Sequence, residues 1–239
     1  MGRTSDGRNA RPESSRQPVK STHLHAAAAA LVFIASAAAF AAIARGVFGG
    51  GYITVVDHEL AAWIHTQATP AWMRFMTAVS DLHRPRAILA GTAAAALVLL
   101  WKQDRAGLLM LLVTVGGGAA LNHVLKHGFK RPRPGDEGAW VAATDFSFPS
   151  GHVSNATLLY GIVAALIVCG SRSRAVQGAA VLCAAVLVLL VAASRLVLGG
   201  HHLSDVLAGA TVGLGSLSLC LIVALLHGAQ RPGMHRCGV

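Results

Sequence analysis

The chain has 239 residues, 54% hydrophobic and 13% charged, with a formal net charge of +10 and a mean hydropathy of +0.56. A soluble domain carries about 25% charged residues, so this composition argues against a soluble enzyme and for one polytopic membrane domain. The basic residues form no long stripe interleaved with aromatics, which argues against nucleic acid as a partner, and the four cysteines show no Cys-x-x-Cys zinc spacing.

Residues 1–24 are polar, rich in Gly, Pro and Ser, and without apolar period, as in a disordered tail. Residues 26–44 are apolar and Ala-rich. A cleaved signal peptide is one reading, but the polar lead is long and the apolar run is near the ~20 residues that span a bilayer. The first span is therefore expected to be retained. Over 52–83, Val56, Leu60, Trp63 and Ile64 recur at helical spacing, as do Trp72, Phe75, Met76 and Val79, with Pro70 between the two sets. Charges at Asp57, Glu59, Arg74 and Asp81 fit two short amphipathic helices, either at the interface or in a loop packed on the bundle.

Further apolar runs cover 86–101, 106–126, 153–170, 175–198 and 203–226. Gly116-Gly117-Gly118 in the second of these, and Gly209 with Gly213 in the last, offer close helix contacts. Cys169, Cys183 and Cys220 sit in apolar runs, where a thiol behaves as a small hydrophobe. The expected fold is an all-α membrane helix bundle of about six transmembrane helices over 25–228, with a second polar tail at 229–239.

Six spans place four basic segments on one side: the first tail, Lys102–Arg105, Arg172–Arg174, and Arg231 with Arg236. The positive-inside rule makes that side, and both termini, cytoplasmic. The loop 127–152 and the turn 199–202 then share the opposite side, where Lys130, Arg131 and Arg133 break the rule. Basic residues on that side have less claim to be topology signals and more to be functional.

Between Val153 and His227 the only acidic residue is Asp205. A charge at the centre of a membrane helix costs roughly 2.5–3.5 kcal/mol on insertion scales, so it needs a partner or a task. Lys126 closes the third span, Arg133 and Pro149–His152 lie in the following loop, Arg195 is near the end of the fifth span, and His201 opens the sixth. All fall at one face of the bundle. Any one of these cations alone reads as an interfacial side chain reaching for water. Three of them beside two histidines and an acid read as an anion site. Arg presents a planar fork to paired phosphate oxygens and Lys a point charge. Ser150-Gly151 before a helix adds a hydroxyl and free backbone N–H groups.

His201 and Asp205 are four apart and share a helix face. A carboxylate behind an imidazole fixes its tautomer and stabilises the cation formed in reaction, which suits a nucleophile. His202 is three from Asp205, so spacing alone does not choose between the two. His152 is a natural general acid, since imidazole titrates near neutral pH. Asn122 and His123 lie one turn before Lys126, more as packed polar residues than as catalytic ones. Asp136, Glu137 and Asp145 form no magnesium-binding pattern, and no G-x-x-x-x-G-K-[ST] loop occurs. Phosphate charge is thus expected to be met by Lys and Arg, with no metal or other cofactor.

Three ordered motifs carry a family resemblance. Lys126, Arg133 and Pro134 match K-x6-R-P, with Arg131-Pro132 at the wrong spacing. Pro149, Ser150, Gly151 and His152 match P-S-G-H. Ser194, Arg195, His201 and Asp205 match S-R-x5-H-x3-D, which selects His201 over His202. The chain resembles the type 2 phosphatidic acid phosphatase and vanadium haloperoxidase superfamily, in its membrane-bound lipid phosphate phosphatase branch. The resemblance implies that His201 attacks phosphorus to give a phosphohistidine, that Asp205 orients it, and that His152 protonates the leaving group and then activates water. It implies that Lys126, Arg133, Ser150, Gly151 and Arg195 hold the phosphoryl oxygens without metal. His202 departs from the aromatic or apolar residue often found there in relatives, which bears on substrate subtype.

The implied substrate is a lipid phosphate reached from the membrane: phosphatidic acid, phosphatidylglycerophosphate or undecaprenyl diphosphate. Compact size and an Ala- and Arg-rich, bacterial-looking composition tilt the expectation to the diphosphate. The expected location is the bacterial plasma membrane, with the site extracytoplasmic. A lipid phosphotransferase would use the same site. The apolar runs argue against a soluble haloperoxidase. An anion transporter would place its charges near the midplane and show inverted repeats, which this chain does not.

Overall fold

The computed structural model describes residues 17–134 and 146–229. Residues 1–16 and 230–239 of the two expected tails, and the loop carboxylates Asp136, Glu137 and Asp145, lie outside the described residues. Eight helices follow one another among the described residues: α1 (Gln17–Phe48), α2 (Tyr52–Gln67), α3 (Pro70–Asp81), α4 (Pro85–Trp101), α5 (Arg105–Phe129), α6 (Gly151–Gly170), α7 (Arg174–Val197) and α8 (Leu203–Ala229).

Their boundaries follow from local chemistry. Proline opens α3 and α4 at the first helical position, where its missing N–H costs nothing. The Thr69 hydroxyl accepts from Trp72 N–H to cap α3, and the Asp104 carboxylate accepts from Gly107 N–H at 3.0 Å to cap α5. α5 ends where Lys130 enters the left-handed region (φ 50°), its N–H donating to the Lys126 carbonyl.

α1, α5, α6, α7 and α8 are each long and apolar enough to cross a membrane. The chain is an integral membrane protein. The sixth span takes a different form from the one the sequence suggests. α4 has 17 residues, about 26 Å at 1.5 Å per residue, short of the ~30 Å hydrocarbon core. α3 and α4 together are long and apolar enough, but they are bent by 51° at the break between them. The pair makes a sixth span only if the two helices count as one, and α3 packs against α7.

α6 is the central helix, packed on α4, α5, α7 and α8. Its Leu158, Leu159 and Ile162 meet Ile88, Leu99, Leu111 and Val115, while Val153 and Ala156 meet Val191 and Val206. Glycine sets the approach of α8: a Cβ at Gly209 would lie 2.5 Å from the Ser150 carbonyl oxygen, and one at Gly213 2.6 Å from Thr157 Cβ. Of the triplet on α5 only Gly118 packs closely, against Leu158; Gly116 and Gly117 face open space. Large apolar side chains such as Leu31, Leu109, Leu182 and Leu189 point outward, as lipid contact requires.

α1 lies along α8. Its Phe40 and Phe48, with Phe129, surround the fully buried Phe148 at ring-centroid distances of 5.2–5.7 Å. The Phe148–Pro149 peptide is cis. Cys183 and Cys220 are free thiols, but Cys169 is disulfide-bonded, so it is not the simple apolar filler its surroundings suggest.

Candidate active site

An antiparallel bundle brings alternate helix ends to one face, and here those ends carry the polar residues. Lys126 is in the last turn of α5, Ser150 caps α6, His152 is in the first turn of α6, Arg195 is in the last turn of α7, and Asp205 is in the first turn of α8. Arg133 follows α5, and His201 sits in the turn between α7 and α8. His152 lies within electrostatic reach of Arg195, His201, Arg133 and Lys126 together. Lys126 Cε approaches to 3.8 Å of the point where a Gly151 Cβ would stand. The structure thus unites all the residues that spacing singled out.

His201 is buried, with its Nδ1 3.6 Å from Asp205 Oδ2. That is longer than a hydrogen bond but within ion-pair range. Its Nε2 is buried with no hydrogen-bond partner among the described residues. Burial pushes the imidazole down to about 4, with Asp205 pulling the other way and Arg195 and Arg133 adding to the push. The ring is therefore neutral near pH 7 and its Nε2 lone pair is unengaged. His202 Nδ1 also approaches Asp205 Oδ2, at 3.8 Å, but its ring faces His58 of α2 at 5.3 Å. Burial pushes His202 down too, with Arg131 beside it. Only His201 is flanked by the phosphate-motif cations.

Those cations are held from behind. Arg133 Nη1 donates to the Gly200 carbonyl at 2.8 Å and Arg195 Nη1 to Ser80 Oγ at 2.7 Å. Both guanidiniums border Gly200, the residue before His201: a Cβ there would overlap Arg195 Nη2 and lie 3.6 Å from Arg133 Nη1. Lys126 Nζ donates to the Phe146 carbonyl at 2.7 Å. Ser150 Oγ is buried and unpartnered among the described residues. One expectation needs correcting. The Ser150 N–H is not free for an anion, because it donates to the Asp205 carbonyl at 2.9 Å and ties α6 to α8. The Gly151 amide and the Ser150 hydroxyl remain as donors.

Several contacts escape a reading by motif. Arg131, set aside on spacing, pairs with Asp205 and with Asp57 of α2. Ser80 of α3 is the partner of Arg195. His83 donates from Nδ1 to the Val79 carbonyl at 2.6 Å and accepts at Nε2 from the Tyr160 hydroxyl at 2.7 Å, joining the α3–α4 break to α6. The one available signal was Asp57, an acid amid the apolar spacing of its helix. Asn122 is buried beside Gly151, whereas His123 turns outward, its ring tilted against that of His127 at a centroid distance of 4.2 Å. Among the described residues no three His, Cys, Asp or Glu side chains cluster as metal ligands would.

A family model described as the PAP2 superfamily matches residues 107–228, which include every motif residue but neither Asp57 nor Ser80. Phosphatidylglycerophosphatase B of Bacillus subtilis (strain 168) is 41% identical over 113 residues, covering 45% of this chain and 53% of that protein. The match therefore spans about half the length of that relative. The crystal structure of the first transmembrane PAP2 type phosphatidylglycerolphosphate phosphatase from Bacillus subtilis is similar with a TM-score of 0.67 at 28% identity, over 80% of this chain and 93% of that one.

Proposed function

This chain belongs to the PAP2 superfamily, and from that premise we propose that it is a lipid phosphatase working through a phosphohistidine at His201. The carrying observation is the buried His201 ring, which has an unpartnered Nε2, lies within electrostatic reach of Arg195 and Arg133, and faces Asp205 with Nδ1. A neutral imidazole so placed is a nucleophile aimed at an anion site.

In the first step the Nε2 lone pair forms a bond to phosphorus and the ester P–O bond breaks. His152 gives its proton to the departing oxygen. His201, still carrying its Nδ1 proton, becomes cationic, and Asp205 stabilises it. In the second step water attacks phosphorus while His152 takes up its proton. The P–N bond breaks, its electron pair returns to Nε2, and phosphate leaves. Lys126, Arg133, Arg195, the Ser150 hydroxyl and the Gly151 amide hold the non-bridging oxygens as charge develops. The residues gathered here supply that charge without calling on a metal.

Among lipid phosphates, the likeness to phosphatidylglycerophosphate phosphatase of Bacillus subtilis, in sequence and in structure, favours phosphatidylglycerophosphate over phosphatidic acid and the undecaprenyl diphosphate favoured by composition. The basic turns at the far end of the bundle support an extracytoplasmic site in a bacterial plasma membrane, with α2 in the headgroup layer.

The test is phosphate release by the purified protein in detergent with EDTA present, beside His201→Ala, over those three lipids. Release by the wild type alone is the expected result, with the preferred lipid identifying the substrate. A folded wild type that releases phosphate from none of them overturns the proposal.

A further inference from the structure

We infer that Arg131 and Asp57 are positioning residues that set the orientation of Asp205 behind His201. The inference rests on the reading of His201 as nucleophile. The Arg131 side chain is 11% exposed and lies between two carboxylates that are 0% exposed, Asp57 and Asp205. Its Nη1 donates to Asp205 Oδ1 at 2.8 Å and to Ser204 Oγ at 2.7 Å, and its Nη2 donates to Asp57 Oδ2 at 3.0 Å.

This divides the work of the Asp205 oxygens. Oδ1 is held by Arg131, and Oδ2 accepts from the His202 N–H at 2.9 Å and faces His201 Nδ1. A turn of the carboxylate about its Cβ–Cγ bond would exchange those duties. The guanidinium fork resists it, because the same planar group is also fixed to Asp57 and Ser204. Asp57 in turn accepts from Ser204 N–H at 2.9 Å and from the Ser204 hydroxyl. Ser204 N–H is one of the first amides of α8, which have no partner within the helix. An acid from α2, 147 positions earlier in the chain, caps the helix that carries Asp205.

Charge points the same way. Arg131 with Asp57 and Asp205 sums to one net negative charge. The cation formed when His201 takes the phosphoryl group brings the cluster to neutrality. Without Asp57 the cluster would be neutral at rest and positive in the intermediate, buried in both states. Asp57 therefore favours the intermediate although Arg131 stands between it and His201.

Asp57→Asn removes that charge and keeps the shape, and Arg131→Gln removes the fork. With dioctanoyl phosphatidic acid as the probe, each variant is expected to lower kcat roughly 10- to 100-fold. KM should stay within about twofold, because neither residue touches the anion site. Arg131→Lys, which keeps the charge but not the fork, should recover part of the loss. The second readout is the ring-nitrogen NMR signal of His201 in histidine-labelled protein, which should move in folded Asp57→Asn and Arg131→Gln protein below their lowered unfolding midpoints. A wild type inactive on every lipid phosphate counts against the phosphatase reading, while the NMR shift still decides the positioning role. Unchanged His201 signals in both folded variants overturn the inference.

Discussion

Arg195 Nη1 and Ser80 Oγ are 2.7 Å apart, and that bond joins the candidate site to the bent helix pair α3–α4. Ser80 is buried, at the last turn of α3. A hydrogen bond to a charged group is worth about 1.5–3 kcal/mol. If Arg195 holds the substrate anion as proposed, Ser80→Ala should therefore lower kcat/KM by about tenfold or more, mostly through KM. Steady-state kinetics on detergent-solubilised lipid phosphate checks this. An unchanged KM would show that Arg195 keeps its place without α3.

Gly200 separates two guanidiniums, and a side chain there has no room beside Arg195. Gly200→Ala should displace the Arg195 fork from the position in which it is proposed to hold the phosphoryl oxygens. Misplacement of a binding group by about 1 Å can cost roughly 100-fold, and kcat/KM should fall by that order. The displaced atoms end a flexible side chain, so thermal stability should hardly change. Inactivation with an unaltered melting curve is the signature to seek.

Gly209 presents the opposite case. A Cβ there would lie 2.5 Å from the Ser150 carbonyl oxygen, a backbone atom that cannot swing aside. Gly209→Ala should destabilise by about 1–3 kcal/mol, as overpacking does, and should displace the Ser150 hydroxyl with it. Detergent-resistant thermal unfolding should show a lower midpoint together with lost activity, in contrast to Gly200→Ala.

The pH dependence follows from burial. His201 is held at about 4 against its ordinary 6.5, so the folded protein keeps it neutral where an unfolded chain would protonate it. Its contribution to stability is complete above pH 6.5 and is lost as pH falls toward 4. The acid limb of kcat/KM that reports His201 should accordingly lie near 4 rather than 6.5. A pH–rate profile checks the limb. In unfolding scans, His201→Phe should flatten the acid side of the stability curve.

Motif spacing picked out residues that the structure brings to one face, because they sit at helix ends whose order along the chain dictates where they meet. α5 to α8 were equally legible, as long apolar runs between basic turns. The supporting contacts were not. Arg131 reaches Asp57 and Asp205 across 74 positions each way, and Ser80 meets Arg195 across 115. Nothing in local spacing marks such pairs. The pairing of α3 with α4 was hidden for a related reason: proline at 70 and 85 reads as two boundaries, and the 51° bend between the helices appears only in the structure. His201 and His202 were separable by the family motif but not by helical spacing, until the ring of His202 was seen to face His58.

The cage of Phe40, Phe48 and Phe129 around Phe148 has a consequence for how this catalyst can be cut or grafted. Phe148 stands two residues before Ser150, so the first helix, which contributes no group to the chemistry, forms part of the wall against which the phosphate-binding turn is set. The stretch from Gly107 to Gly228 holds all the motifs and looks like a portable module. A minimal enzyme built on that stretch alone would carry its chemistry on an unsupported hinge, and a designer seeking the smallest working scaffold should begin no later than α1.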